Sequence, residues 1–287
     1  MNWPEFQYEA MATTFALLIA DQPAEYARQA AAAAWRELDQ LESELSRYVE
    51  SSDIARTNRI ANGETIALGE SALECLLLAA GISVATNRAF DVAYASQGIV
   101  PGQPPYTLDP ENHTLTSHCA QLHLDLGAVG KGYALDRLAA LLREWQIEAA
   151  CLQSGGSTAL ASGVPRGSAG WPVGLGEGES RRVVLLNHAA LSGSGIAVKG
   201  EHLIDPRTSK AAPRMNRAWA FAPTAALSDA LSTAFFVLSD PEIAEFCFAN
   251  PEIGAAISGP DGALKIHGAL KPLLQSPDAS AASSSEA

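Results

Sequence analysis

The chain has 287 residues, 47% of them hydrophobic, enough for one large domain or two closely packed ones. Its net charge of −13 argues against a general nucleic-acid binder, which needs a basic face. No apolar run is long enough to span a membrane. The four cysteines (Cys75, Cys119, Cys151, Cys247) are widely spaced, form no metal-ligand pair and read as buried free thiols. The first residues lack the basic and apolar regions of a signal peptide, so a cytoplasmic location is expected.

Residues 6–20 read as extended structure, interrupted at Met11, Ala12, Thr13 and Thr14 by a bulge or hairpin turn. Residues 23–45 read as a helix, with Ala30, Ala34, Leu38 and Leu41 on one face. It leads into Tyr48, an aromatic that either joins the core or stacks on a flat ring. Residues 51–58 suit a short capped helix, and 69–86 a long one. Residues 101–110 are proline-dense and read as irregular.

Residues 120–126 alternate apolar and polar in the manner of a half-buried strand. Three glycines (Gly127, Gly130, Gly132) and Lys131 follow, then an amphipathic helix over 133–145. Free N–H groups at a helix start, with a lysine, favour an anion. The spacing does not match a P-loop, which has four residues before its Gly-Lys pair and Ser or Thr after it. Residues 148–152 read as a strand, 171–176 with 181–187 as a hairpin, and 217–223 as a further strand. Residues 224–238 form a helix capped by Thr224, on which Asp229 and Thr233 share a face. A buried carboxylate needs a partner, and either a hard cation or a structural hydrogen bond answers that need. Residues 241–249 read as a short helix, and 253–257 with 264–267 as a closing hairpin.

Several of these segments, in order, resemble one family. They are Met-Ala-Thr-Thr-Phe at 11–15, Leu-Ser-Arg-Tyr at 45–48, Ala-Phe-Asp at 89–91, Leu-Asp-Leu-Gly-Ala-Val-Gly-Lys-Gly-Tyr-Ala at 124–134, His-Leu-Ile-Asp-Pro-Arg-Thr at 202–208 and Ser-Asp-Ala-Leu-Ser-Thr-Ala at 228–234. Together they resemble the FAD:protein FMN transferases, the ApbE-like family. The resemblance implies an α+β fold with mixed β-sheets and packed helices, and a ligand site between two closely packed subdomains. It implies one domain over residues 1–275, with a Ser- and Ala-rich tail at 276–287 read as disordered.

The implied activity is Mg²⁺-dependent transfer of the FMN moiety of FAD to a Thr or Ser hydroxyl of an acceptor protein, with release of AMP. By matching position, Met11, Tyr48, Ala89, Phe90, Asp91, Asp125, Lys131, His202 and Ile204 would contact FAD. The Ala128 carbonyl, Asp229 and Thr233 would hold the metal. His202 is the candidate base by type, with Asp205 in reserve. The chain departs from the family pattern at Ser157, where an acid is usual, and over 194–197. Those departures keep two alternatives open: a pyrophosphatase giving FMN and AMP, and a non-catalytic flavin-binding protein.

Overall fold

The computed structural model describes residues 3–176, 181–195, 204–208, 210–211, 215–259 and 262–275. Strands β1 (Glu5–Ala10) and β2 (Thr13–Ile19) pair with Ala10 opposite Thr13, so Met11 and Ala12 form a two-residue turn. Both have positive φ, 50° and 58°. Asn-Gly is the usual sequence for such a turn. Here neither residue is glycine, and each left-handed residue holds roughly 1–2 kcal/mol of strain.

Helix α1 (Ala24–Leu45) buries Ala27, Ala30, Ala34, Leu38 and Leu41, as its periodicity predicts. In α2 (Asp53–Thr57) the Ser52 hydroxyl accepts from the Ala55 N–H at 3.0 Å. Strand β3 (Thr65–Ala67) and helix α3 (Glu70–Ala85) follow. Strands β4 (Tyr106–Asp109) and β5 (Thr114–Ser117) form a hairpin that completes a three-stranded sheet, β3-β5-β4. The proline-dense stretch read as irregular therefore runs into a strand at Tyr106.

Residues 122–126 do not form the expected strand. The alternation is real, because Leu122, Leu124 and Leu126 are buried while His123 and Asp125 are half-exposed. The segment is extended, but side chains and a loop replace a partner strand. Asn58 donates to the Leu124 carbonyl at 2.9 Å and accepts from its N–H at 2.6 Å. Ser96 takes the His123 N–H, and the Val92 carbonyl takes that of Asp125. All the backbone donors that the missing ladder would have used at 123–125 are thus satisfied.

Helix α4 (Gly130–Glu144) begins at the second glycine of the turn. Strands β6 (Ala150–Ser154) and β7 (Thr158–Ser162) come next, then the hairpin β8 (Trp171–Leu175) and β9 (Arg182–Leu186), then β10 (Ala189–Gly195). A short pair, β11 (Ile204–Asp205) and β12 (Lys210–Ala211), precedes β13 (Arg217–Ala222) and helix α5 (Ala225–Val237). Helix α6 (Asp240–Ala249), strands β14 (Gly254–Ser258) and β15 (Leu264–Gly268) and helix α7 (Leu270–Gln275) close the described chain. The tail expected at 276–287 lies outside the described residues.

The main sheet has eight strands in the order β1-β2-β6-β7-β10-β13-β14-β15, all paired antiparallel. Residues opposite one another across a ladder share a face. Phe15, Ser154, Thr158, Ser192, Ala220 and Ala255 are linked in this way across six strands. This is the face on which α1, α4 and α5 pack, in the larger core. The opposite face buries Trp171, Trp219, Leu186 and Leu270 in a smaller one. The row of hydroxyl residues in the first set therefore faces the helices.

Candidate functional site

A cleft of about 600 Å³ opens where the β1–β2 turn, the end of α1 and the glycine turn meet. Met11 and Ala12 form one wall, and Glu42 and Leu45 of α1 a second. Residues 46–49, with Asp125, Leu126, Gly127, Gly130 and Lys131, supply the rest. The strained turn is tied down here, since the Met11 N–H donates to the Glu42 carboxylate at 2.9 Å. Backbone strain held by such a contact beside a pocket is the pattern expected of a binding wall.

Asp125 sits between charges. One carboxylate oxygen accepts from the Gly127 N–H at 2.9 Å, and the other lies 3.2 Å from Arg47. Arg47 also donates to the Tyr48 hydroxyl at 2.6 Å and lies 4.8 Å from that ring's centroid. Tyr48 is 76% exposed, so burial does not account for its ring. It stands at the cleft with its ring open to solvent. Lys131 donates to the Gly127 carbonyl, which ties its ammonium across the start of α4.

Four of the expected FAD contacts line this cleft: Met11, Tyr48, Asp125 and Lys131. Ala89 and Phe90 do not; both are buried in the larger core. Asp91 is engaged locally, accepting from the Ala93 N–H at 2.8 Å and pairing with Arg88 at 2.6 Å. This segment adjoins the cleft through the Val92–Asp125 backbone bond. Ile204 begins β11. His202 lies outside the described residues. Glu42 and Arg47 escaped sequence reasoning. Arg47 lay inside a quoted motif, but nothing local marked Glu42, whose bond spans 31 residues.

Behind the glycine turn, α4 and α5 approach closely at Gly132. A Cβ there would fall 2.4 Å from the Ala225 carbonyl oxygen. Asp136, one turn further along α4, accepts from the N–H groups of Ala225 and Ala226, each at 2.8 Å. It therefore caps α5 from a neighbouring helix. Burial pushes its carboxyl up to about 6, against the downward pull of those two amides.

This packing delivers Asp229 to the glycine turn. Asp229 is 6% exposed, and its carboxylate accepts from the Gly132 N–H at 3.3 Å. Gly132 is the third residue of α4, so its N–H has no partner within the helix. Asp229 takes that N–H, and the Ala128 carbonyl, in the turn before the helix, accepts no hydrogen bond among the described residues. The Asp229 carboxylate is thus buried with one long bond. No cation of the protein pairs with Asp229 among the described residues. The donor set, a carboxylate, a carbonyl and the Thr233 hydroxyl one turn on, is all oxygen and suits a hard cation such as Mg²⁺. No group of three or more His, Cys, Asp or Glu converges among the described residues. Among the described residues, a cation site would draw on backbone and hydroxyl oxygens beside a single carboxylate.

Asp205 is 6% exposed. Arg207 donates to both of its carboxylate oxygens, at 2.8–3.1 Å, and its own N–H adds a further bond. Those bonds hold the Asp205 carboxyl below the usual range. Arg207 also reaches Glu242 of α6 at 2.6 Å, fastening the β11–β12 pair to that helix.

The family assignment follows from comparison with known proteins. A family model described as "ApbE family" matches residues 11–257. The chain belongs to the ApbE family. A curated relative, the FAD:protein FMN transferase of Treponema pallidum (strain Nichols), is 29% identical over 170 residues. The match spans 52% of this chain and 47% of that relative, so the chain covers about half the length of the curated relative it matches. Among solved structures, the ApbE protein of Thermotoga maritima has a TM-score of 0.81 at 22% identity, covering 96% of this chain and all of that one. The flavin transferase ApbE of Vibrio cholerae has 0.80 at 19%, covering 95% of this chain and all of that one. Those likenesses establish the ApbE fold, an α+β architecture. No helix among the described residues is long and apolar enough to cross a membrane.

Proposed function

We propose that the chain transfers the FMN part of FAD to a Thr or Ser hydroxyl of an acceptor protein, releasing AMP, with Mg²⁺ as cofactor. The observation that carries the reading is the pairing of the flavin-sized cleft with the oxygen site behind its glycine turn. Family membership and the activity named for the Treponema relative support it.

In this reading Tyr48 stacks on a ring of FAD, while the Lys131 ammonium at the start of α4 faces the pyrophosphate. Asp125, held by Gly127 and Arg47, fixes a polar group of the nucleotide. Ala128, Asp229 and Thr233 hold the cation. When bound, Mg²⁺ supplies charge neutralisation at the pyrophosphate. The acceptor hydroxyl oxygen attacks the FMN phosphorus, and the bond from that phosphorus to the AMP oxygen breaks. The hydroxyl proton passes to a base, and AMP leaves as a phosphate monoester. Asp205 is locked by Arg207 and is the poorer proton acceptor, so His202 takes the base role.

The test is AMP release by the purified chain with FAD, Mg²⁺ and a flavin-acceptor domain, comparing wild type with Asp229→Asn. Loss of Mg²⁺-dependent release in a folded variant is expected. Release at the wild-type rate would refute the cation assignment.

A further inference from the structure

Helix α2 ends beside a second cleft. Its C-cap is Asn58, and Arg59 follows in the turn that closes on the Arg56 carbonyl. Asn58 clamps the Leu124 backbone, which sets His123 next to that helix end. The second cleft, of about 470 Å³, is lined by Glu50, Ala55, Asn58, Arg59 and His123. Arg47 and Tyr48 line it too, so they are the wall it shares with the first cleft.

The polar side chains of this wall are mostly donors. A guanidinium accepts no hydrogen bond, so the 3.3 Å contact between Arg47 and His123 Nε2 makes that nitrogen the acceptor. The ring proton of His123 then sits on Nδ1. Arg59 donates from Nη2 to the Glu50 carbonyl at 2.6 Å. That bond pins its fork and leaves Nε and Nη1 without a protein partner among the described residues. Arg47 is matched by Asp125 at 3.2 Å, whereas no ion pair among the described residues includes Arg59. The Glu50 carboxylate is exposed and joins none of those pairs either. In a chain of net charge −13, an arginine held in this way is a local exception. The group that satisfies it is an anionic oxygen, and its planar fork suits a carboxylate.

FAD brings its negative charge as pyrophosphate, which the reading above sets at Lys131 in the first cleft. The acceptor protein is the other reactant and has to reach the same place. We propose that the second cleft is a subsite for an acidic side chain of the acceptor protein, with Arg59 as the residue that recognises its carboxylate. This rests on the transferase reading and adds to it a determinant of acceptor choice, on the far side of Arg47 and Tyr48 from the nucleotide.

The test measures binding of a fluorescently labelled flavin-acceptor domain to the FAD-loaded chain by anisotropy, in EDTA to prevent transfer. Arg59→Gln is expected to weaken acceptor binding about 10-fold, the effect of one hydrogen-bonded charge. FAD affinity and the thermal midpoint should stay at wild-type values. Replacing the acceptor's Asp and Glu residues singly by Asn and Gln should reveal one whose loss weakens binding to wild type about 10-fold and adds nothing with Arg59→Gln. Equal acceptor affinity in wild type and Arg59→Gln would overturn this inference and leave the transferase reading standing. So would a weakened acceptor with no carboxylate coupled to Arg59. Loss of FAD affinity in Arg59→Gln with acceptor binding intact would give the cleft to the nucleotide and overturn it as well. A wild-type chain that neither binds the acceptor nor transfers FMN to it with Mg²⁺ would overturn both.

Discussion

Gly132→Ala tests the contact that brings the two halves of the site together. The new Cβ would lie 2.4 Å from the Ala225 oxygen, 2.6 Å from the Ala225 carbonyl carbon and 2.8 Å from the Ala226 Cα. All three are backbone atoms of α5, so no side chain can swing aside. Reaching ordinary contact requires the helices to part by about 1 Å, and overpacking of this kind costs ~1–3 kcal/mol. The same displacement would stretch the two 2.8 Å bonds from Asp136 to Ala225 and Ala226 beyond hydrogen-bonding range. Each bond is worth about 1 kcal/mol. Alanine returns about 1 kcal/mol through helix propensity. A net loss of roughly 2–4 kcal/mol would lower the thermal midpoint by about 5–15 °C in a chain of this size. Because Gly132 also donates to Asp229, Mn²⁺ affinity should fall in parallel. Calorimetry and a Mn²⁺ titration on the same sample provide the check. An unchanged midpoint with intact Mn²⁺ binding would refute the argument that this close approach sets the site.

Ala12→Gly should stabilise the fold by about 1 kcal/mol, because glycine takes the 58° φ without a Cβ penalty; a denaturant midpoint that does not rise would show that the turn holds no strain. Asn58→Asp keeps the acceptor for the Leu124 N–H but sets a carboxylate against the Leu124 carbonyl. It should cost roughly 2 kcal/mol and weaken FAD binding through Asp125, whereas wild-type stability by denaturant titration would reject the role of Asn58 as a substitute strand. Tyr48→Ala should weaken FAD binding by about 1–3 kcal/mol with no change in stability, taking base–aromatic stacking as the guide. An unchanged dissociation constant in a fluorescence titration would remove Tyr48 from the site. Asp136 has a folded pKa raised to about 6 from 3.8, so its contribution to stability is full below about 4 and is lost as pH rises through 6. Melts of wild type and Asp136→Asn at pH 4 and pH 7 should show the smaller fall with pH in the variant, and equal falls would contradict the assignment.

Much of this architecture was legible because local pattern and tertiary role agree. The buried face of α1 repeats at helical spacing, and Thr224 caps α5 as its chemistry predicts. The sequence of residues 122–126 reported burial faithfully but not pairing, because alternation records which side chains face the core. It says nothing of whether a strand or an asparagine amide satisfies the backbone. Strand β4 was hidden by the prolines before it, although the tract ends at Tyr106.

In the site, Tyr48, Asp125 and Lys131 carry signals within their own segments. Glu42 and Asp136 do not, since each acts on backbone donors 31 and about 90 residues away. Asp136 had one local clue, a carboxylate near the apolar face of an amphipathic helix, where a partner is required. Ser194 drew notice as part of the 194–197 departure from the family pattern, and its hydroxyl partners lie on a helix four elements later in the chain.

The most direct measurement is the intact mass of a flavin-acceptor domain after incubation with this chain, FAD and Mg²⁺. The account predicts one FMN adduct on a Thr or Ser, formed with equimolar AMP and prevented by EDTA. AMP without an adduct would make the chain a pyrophosphatase toward FAD. Bound FAD with neither product would contradict the transferase assignment altogether.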